Sequence, residues 1–163
     1  MALIKKIQLS GKFGVGKFAL VDEEDFDRVS TRQWWYHNAG YAVCKTLGIK
    51  PRRVLYMHRV ILNAREDQEV DHANGNPLDN RRSNLRLCTH SENAFNKRMM
   101  KNNTSGFKGV GWDKANQKWT AIISMNGKSI HLGRFPDAED AALSYNEAAT
   151  KYFGKFARIN SNT

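Results

Sequence analysis

This 163-residue chain has no long apolar run, few cysteines and fewer acidic than basic residues. No stretch approaches the roughly 18 apolar residues that cross a bilayer, and the mean hydropathy is −0.64, so a transmembrane helix is excluded. The first ten residues, MALIKKIQLS, lack the apolar core of about 7–15 residues that a secretory signal needs, so an intracellular rather than a secreted protein is expected. There are two cysteines, Cys44 and Cys88, in unrelated contexts. They fit a reducing compartment and exclude both a disulfide scaffold and a cysteine-rich zinc site. Repeats and low-complexity tracts are absent. What is present suffices for a core: 40% of residues are hydrophobic and 10% aromatic. At roughly 100–150 residues per domain, the length allows one domain or two small ones.

Against 16 acidic residues stand 26 lysines and arginines, a formal net charge of +10. The excess is not a detachable tail. Basic and acidic residues number eight and five in 1–50, ten and six in 51–103, and eight and five in 104–163. Such a balance points to an anionic partner, most often nucleic acid. Arg52, Arg53, Arg59, Arg65, Arg81, Arg82 and Arg86 in the middle third suit bidentate phosphate contacts. A membrane surface is the other anionic partner, but no amphipathic basic helix supports it.

Residues 1–63 read as short strands with turns: Phe18–Val21, Gln33–His37, Tyr41–Lys45 and Val54–Ile61. The acidic run from Asp22 to Asp27 suits a helix start. Residues 64–98 hold a polar loop between two short strands, then a helix. A polar, basic linker covers 99–105. In 106–160, strands are expected at Phe107–Trp112, Lys118–Met125 and Lys128–Leu132, with Asn126-Gly127 as a two-residue hairpin turn. A helix follows over Ala138–Phe153, with Ala141, Ala142, Tyr145, Ala148, Ala149 and Tyr152 on one face, Asp137 as N-cap and Gly154 as C-cap.

Gly11 to Lys17, GKFGVGK, fits the GxxxxGK pattern of phosphate-cradling loops. Such a loop needs a Ser or Thr next and a helix after it, and here Phe18 and a strand-like segment follow. A glycine-rich turn between strands is the better reading, and no nucleotide cofactor is expected.

The informative segment runs from Val70 to Asn93: VDHANGNPLDNRRSNLRLCTHSEN. Glu69–His72 ends a strand, Asn74-Gly75-Asn76-Pro77 is dense turn chemistry, and Leu85–Cys88 forms the return strand. Thr89-x-x-Glu92 is a capping box that opens a helix at His90. Strand and helix can bring Asp71, His72 and Asn93 together. An Asp and an Asn offer hard oxygen ligands suited to Mg²⁺ or Mn²⁺, and His72 is a base that can be neutral near pH 7.

This segment resembles the HNH (ββα-metal) nuclease family, in particular its phage-type endonucleases. The resemblance implies His72 as general base, Asp71 as metal ligand, Asn84 as the residue that braces the loop and orients the histidine, and Asn93 as second metal ligand. His90 is a rival for that last role. The upstream Met57-His58-Arg59 resembles a segment common before this motif, with His58 and Arg59 supporting the fold or contacting phosphate. Arg81, Arg82 and Arg86, beside a phosphodiester site, are expected phosphate contacts. His37 is expected to be structural.

Residues 106–160 resemble the AP2/ERF DNA-binding domain through Phe107-Lys-Gly-Val110, Lys118-Trp119-x-Ala-x-Ile123, His131-Leu-Gly-x-Phe135, and Ala138-Glu-x-Ala-Ala on to Tyr145 and Ala148-Ala149. In that family a three-stranded sheet enters the major groove and a helix backs it. Strand alternation puts Trp119, Ala121, Ile123, Ile130 and Leu132 toward the helix. Lys118, Thr120, Ser124, Ser129 and His131 then face DNA, with Lys108 on the first strand. Several positions where the plant family uses Arg or Trp hold Ser, Gly or His here, so the module adds affinity with modest specificity.

The fold class expected is α+β: a β-rich extension at 1–63, an HNH ββα core at 64–98, the linker, and a three-stranded antiparallel sheet plus helix at 106–160. The two resemblances together imply a phage or bacterial endonuclease of homing type, dependent on Mg²⁺ or Mn²⁺, acting on double-stranded DNA in the cytoplasm of a bacterial host, and by default a monomer. The alternatives are a non-catalytic DNA-binding regulator on a degenerate HNH fold and a structural or RNA-binding protein.

Overall fold

The computed structural model describes residues 3–46, 48, 50, 53–97, 99 and 103–161. Of the arginines named above, Arg52 lies outside them, as do residues 100–102 of the expected linker. Short antiparallel sheets and a few helices make up a mixed α and β chain, divided into two compact units, Met1–Thr89 and His90–Thr163.

In the first unit, β1 (Ile4–Gln8) pairs with β2 (Phe18–Asp22), and Gly11 to Lys17 is the turn between them. Strand β1, outside the strands expected from the sequence, is the partner that this turn implies. A helix, α1 (Glu23–Ser30), starts in the acidic run, where carboxylates complement its N-terminus. Then come β3 (Trp35–Tyr36), β4 (Ala42–Lys45) and β5 (Val54–Tyr56), an antiparallel sheet of order β3-β4-β5. The run Val54–Ile61, expected as one strand, is β5 followed directly by a helix, α2 (Met57–Leu62). Met57 and Ile61, four residues apart, turn one helical face into the core, and Asn63 ends the helix in the left-handed conformation at φ +48°. Alternating burial along a strand would have split that face.

The hairpin of β6 (Glu69–His72) and β7 (Leu85–Cys88) closes the unit, in register Asp71 with Arg86 and His72 with Leu85. Its long loop is fastened to β2: Leu20 donates from its N–H to the Leu78 carbonyl at 2.8 Å, and the Asn80 N–H donates to the Leu20 carbonyl at 2.8 Å. Trp34, Met57, Ile61, Val21 and Val29 form the centre of the core beneath.

The second unit contains α3 (His90–Phe95), the sheet β10-β9-β8 (Lys128–Phe135, Lys118–Met125, Val110–Asp113), α4 (Ala138–Phe153) and a 3-10 turn at Gly154–Phe156. Thus α3 groups with the C-terminal residues. The Phe95 ring stacks on Phe153 with centroids 3.8 Å apart. Asn126 and Gly127, both at positive φ, form the expected hairpin turn between Met125 and Lys128. Strand β8 begins at Val110 rather than Phe107, because Asn103 and Ser105 side chains hold Gly106 and Phe107 in a turn. Strand β10 runs on to Phe135 past a bulge between His131 and Gly133.

Ala141, Ala142, Ala148 and Ala149 keep the contact face of α4 slim, so the helix lies close on Ala121 and Ile123. Gly109, at φ +77°, lies under the ring of Tyr145; a Cβ there would come 2.1 Å from Tyr145 Cδ2. Gly109→Ala is expected to destabilise the second unit by about 2–4 kcal/mol through overpacking and backbone strain, read as a fall in its thermal midpoint. An unchanged midpoint would refute the tight Tyr145 contact.

Candidate active site

Asp71 and His72 are consecutive at the end of β6, so their side chains leave opposite faces of the hairpin. Each is 5% exposed. Register sets Asp71 across from Arg86, whose Nε donates to Asp71 Oδ2 at 2.7 Å while Nη2 donates to the same oxygen. The His72 ring lies among aromatic neighbours. His58 meets it edge-on at 5.0 Å and Tyr41 lies at 6.0 Å, with Tyr56 5.5 Å beyond His58. Burial lowers the His72 pKa from the usual histidine value, against a contrary pull from Asn80, Asp71 and Asp79. The imidazole is therefore neutral near pH 7 and able to take a proton. Burial drives His58 further down, to about 3, helped by His72 and Arg59. It raises Tyr41, with Tyr56, Asp71 and Glu69 adding to the effect.

The loop between β6 and β7 is held by its own side chains. Asn84 Oδ1 accepts from the Asn74 N–H at 2.9 Å, and Asn84 Nδ2 donates to the Asp79 carbonyl at 2.7 Å. Asn74 Nδ2 donates to Asp79 Oδ2 at 2.8 Å, and Asn76 Oδ1 accepts from the Leu78 N–H at 3.1 Å. Asn84 thus braces the loop from both sides. A second asparagine of the loop, Asn80, has its Oδ1 3.4 Å from His72 Nε2.

Residues 55–95, from β5 to α3, match a family model described as HNH endonuclease. The chain is also 35% identical over 149 residues, 90% of its length, to an HNH endonuclease of Acanthamoeba polyphaga mimivirus, and it covers 76% of that relative. The chain belongs to the HNH endonuclease family. It is similar as well to Protein 3.8 of Escherichia phage T7, at 36% identity over 90 residues, 55% of this chain and 74% of that one. Similarity to an ethylene-responsive transcription factor of Medicago truncatula, ERN3, is more limited: 39% identity over 75 residues, 45% of this chain and 31% of the factor. No solved structure matches the chain significantly.

Arg59, Arg81 and Arg82 are bound by acceptors of the chain itself. Arg81 forks onto Asp79 through Nε at 2.7 Å and Nη2 at 2.6 Å, holding the Asp79 carboxyl below its usual range. Arg82 grips Asp25 through Nε at 2.7 Å and Nη2 at 2.9 Å, and its backbone N–H donates to Asp22 Oδ2 at 2.7 Å. Arg59 donates to the carbonyls of Gln68 and Arg65, both at 2.6 Å. Among the described residues, the oxygens of Asp22, Glu24 and Asp25 come within 4.8 Å of one another as a cation cradle would. The Arg82 guanidinium occupies that cradle, 2.8 Å from Glu24.

In the second unit, Lys118, Ser124, Ser129 and His131 are exposed on the sheet face away from α4, with Thr120 half-buried among them. Ser124 and Ser129 hydroxyls are 3.0 Å apart, and Thr120 donates to the Gly111 carbonyl at 3.1 Å. Lys108 is turned elsewhere: Nζ donates to the Phe95 carbonyl, and burial lowers its pKa to about 8. Asn93 and His90 both lie on α3. His37 Nδ1 accepts from the Ala39 N–H at 3.2 Å within a turn. Sequence reasoning passed over Asn80, Tyr41 and Asp79; the Asp79-Asn80 pair inside an otherwise turn-like loop was the available signal.

HNH nucleases generally use divalent metal ions. The donor chemistry fits: Asp71 offers a carboxylate oriented by Arg86, beside a neutral base. No helix among the described residues is long and apolar enough to cross a membrane.

Two consequences follow for stability. Arg82→Met leaves the buried Asp25 with Arg28 alone and is expected to cost about 1–3 kcal/mol, seen as a lower urea midpoint at unchanged m. Weaker DNA binding at unchanged stability would assign Arg82 to phosphate instead. For His58, the folded pKa of about 3 lies below the ordinary 6.5. Its contribution is fully present above pH 6.5 and is lost as pH falls toward 3, at up to about 1.4 kcal/mol per pH unit. His58→Phe should flatten the stability profile over that window, and an unchanged slope would refute the assignment.

Proposed function

We propose that this nuclease is a metal-dependent, site-directed DNA endonuclease of homing type. The observation that carries the reading is the buried, neutral His72 next to Asp71 at the end of β6, above a loop braced by Asn84. His72 takes a proton from the attacking water. The new P–O bond forms as the bond to the 3′-oxygen breaks, which leaves 5′-phosphate and 3′-hydroxyl ends, the last proton coming from solvent. General base catalysis of this kind contributes about 10²–10⁴-fold.

Asp71 is the proposed carboxylate ligand of the metal, and Asn93 the second oxygen ligand on the strength of the family resemblance, with His90 next in line. A bound Mg²⁺ or Mn²⁺ supplies Lewis-acid stabilisation of charge at the scissile phosphate and leaving oxygen. Arg86 keeps the Asp71 carboxylate oriented.

The exposed sheet face of Lys118, Thr120, Ser124, Ser129 and His131 is proposed to bind duplex DNA in the manner of AP2/ERF domains. The limited similarity to plant transcription factors and the net charge of +10 support this. The four arginines around the nuclease motif serve the fold first, since their guanidinium groups meet carboxylates and carbonyls of the chain. One such site per chain makes nicking the default for a monomer.

The test is incubation of the full chain with a supercoiled genomic plasmid library in Mg²⁺, Mn²⁺ or EDTA, beside His72→Ala. Relaxed or linear product that needs the metal and vanishes in the variant, with duplex binding within about threefold of wild type, is the expected result. Duplex binding without cleavage would make the chain a DNA-binding regulator, and preference for RNA would favour the third reading.

A further inference from the structure

Asn80 is 1% exposed, and its Nδ2 is a buried donor with no hydrogen-bond partner. Such an orphan donor costs about 1–3 kcal/mol, a cost that an apolar side chain of similar size would not carry. The amide is therefore best explained by its other end. Oδ1 lies 3.4 Å from His72 Nε2. A carbonyl oxygen only accepts, so a contact with Oδ1 favours the tautomer that carries its proton on Nε2.

The position of that oxygen is set from two directions. The Asn80 N–H donates to the Leu20 carbonyl of β2 at 2.8 Å. The carbonyl on the other side of the same peptide, that of Asp79, accepts from Asn84 Nδ2 at 2.7 Å. Asn84 thus acts on the histidine through the Asp79–Asn80 peptide. The packing against His58 and Tyr41 restrains the ring on its other sides.

We propose that Asn80 is a positioning residue for the general base: it selects the His72 tautomer protonated on Nε2 and leaves Nδ1 as the atom that takes the proton from water. The catalytic half of this assignment rests on the nuclease reading above. The structural half does not.

The test uses the full chain, with Asn80→Leu to remove the acceptor at similar volume and Asn80→Asp to keep an oxygen in place. ¹⁵N spectra of the imidazoles, with His72 assigned by its absence in His72→Ala, report the tautomer without turnover. Wild type is expected to carry the proton on Nε2, Asn80→Leu to lose that preference, and Asn80→Asp to regain a protonated Nε2. In cleavage assays Asn80→Leu is expected to lower kcat about 10–100-fold with KM within about twofold, and Asn80→Asp to recover part of the loss.

A wild-type His72 protonated on Nδ1 overturns the proposal and needs no variant, so failure of Asn80→Leu to fold does not shelter it. Unchanged kcat and tautomer in Asn80→Leu would reduce Asn80 to a filler of the core, and a rise in KM alone would make it a substrate contact. A protein that cleaves no DNA removes the nuclease reading, while the ring spectra still decide what Asn80 does to His72.

Discussion

A carboxylate in the first helix anchors the site. Asp25 is 2% exposed, and a buried charge of that kind persists only with partners. Arg28 and Arg82 supply them, three N–H groups at 2.7–2.9 Å. Arg82 is the last cation of the loop between β6 and β7, so the ion pair that neutralises Asp25 also pins the loop to α1. Asp22 holds the backbone of the same residue. The ion pair adds to the two backbone hydrogen bonds that tie the loop to β2 at Leu20, one of which also fixes Asn80.

The N-terminal strands are consequently part of the site. An isolated two-stranded hairpin is marginal in water, and β6–β7 is such a hairpin. The rings that meet His72, those of Tyr41 and His58, come from elsewhere in the unit. Tyr41 precedes β4, Tyr56 ends β5, and His58 is in the first turn of α2. This wall lowers the His72 pKa by desolvation, which keeps the imidazole neutral near pH 7. The neutral His58 adds bulk without adding charge beside it.

The second unit solves a different problem. Its sheet of three strands has one helix to cover it, so one face packs and the other is left to solvent. Small residues on α4 and Gly109 under Tyr145 bring helix and sheet together. The outer face carries hydroxyls, a lysine and a histidine, with Arg134 paired to Asp113 at its edge.

Local chemistry was legible in the chain itself. Period-2 burial in Lys118–Met125, the Asn126-Gly127 turn, the helix Ala138–Phe153 and the hairpin around Asp71 and His72 all depend on neighbours a few residues away. Val54–Ile61 shows the limit: its apolar pattern suited a strand, and core contact with Met57 and Ile61 made most of it helical. The sequence by itself determined the nuclease motif and the excess of positive charge. The tertiary structure alone decided which arginines are tied to carboxylates, as in the pairing of Arg82 with Asp25 across 57 residues, and that Asn80 meets the histidine. Residue types announce a charge or a donor wherever they stand. Which partner meets it is a matter of distance in the folded chain, and that distance is set by how all the elements pack.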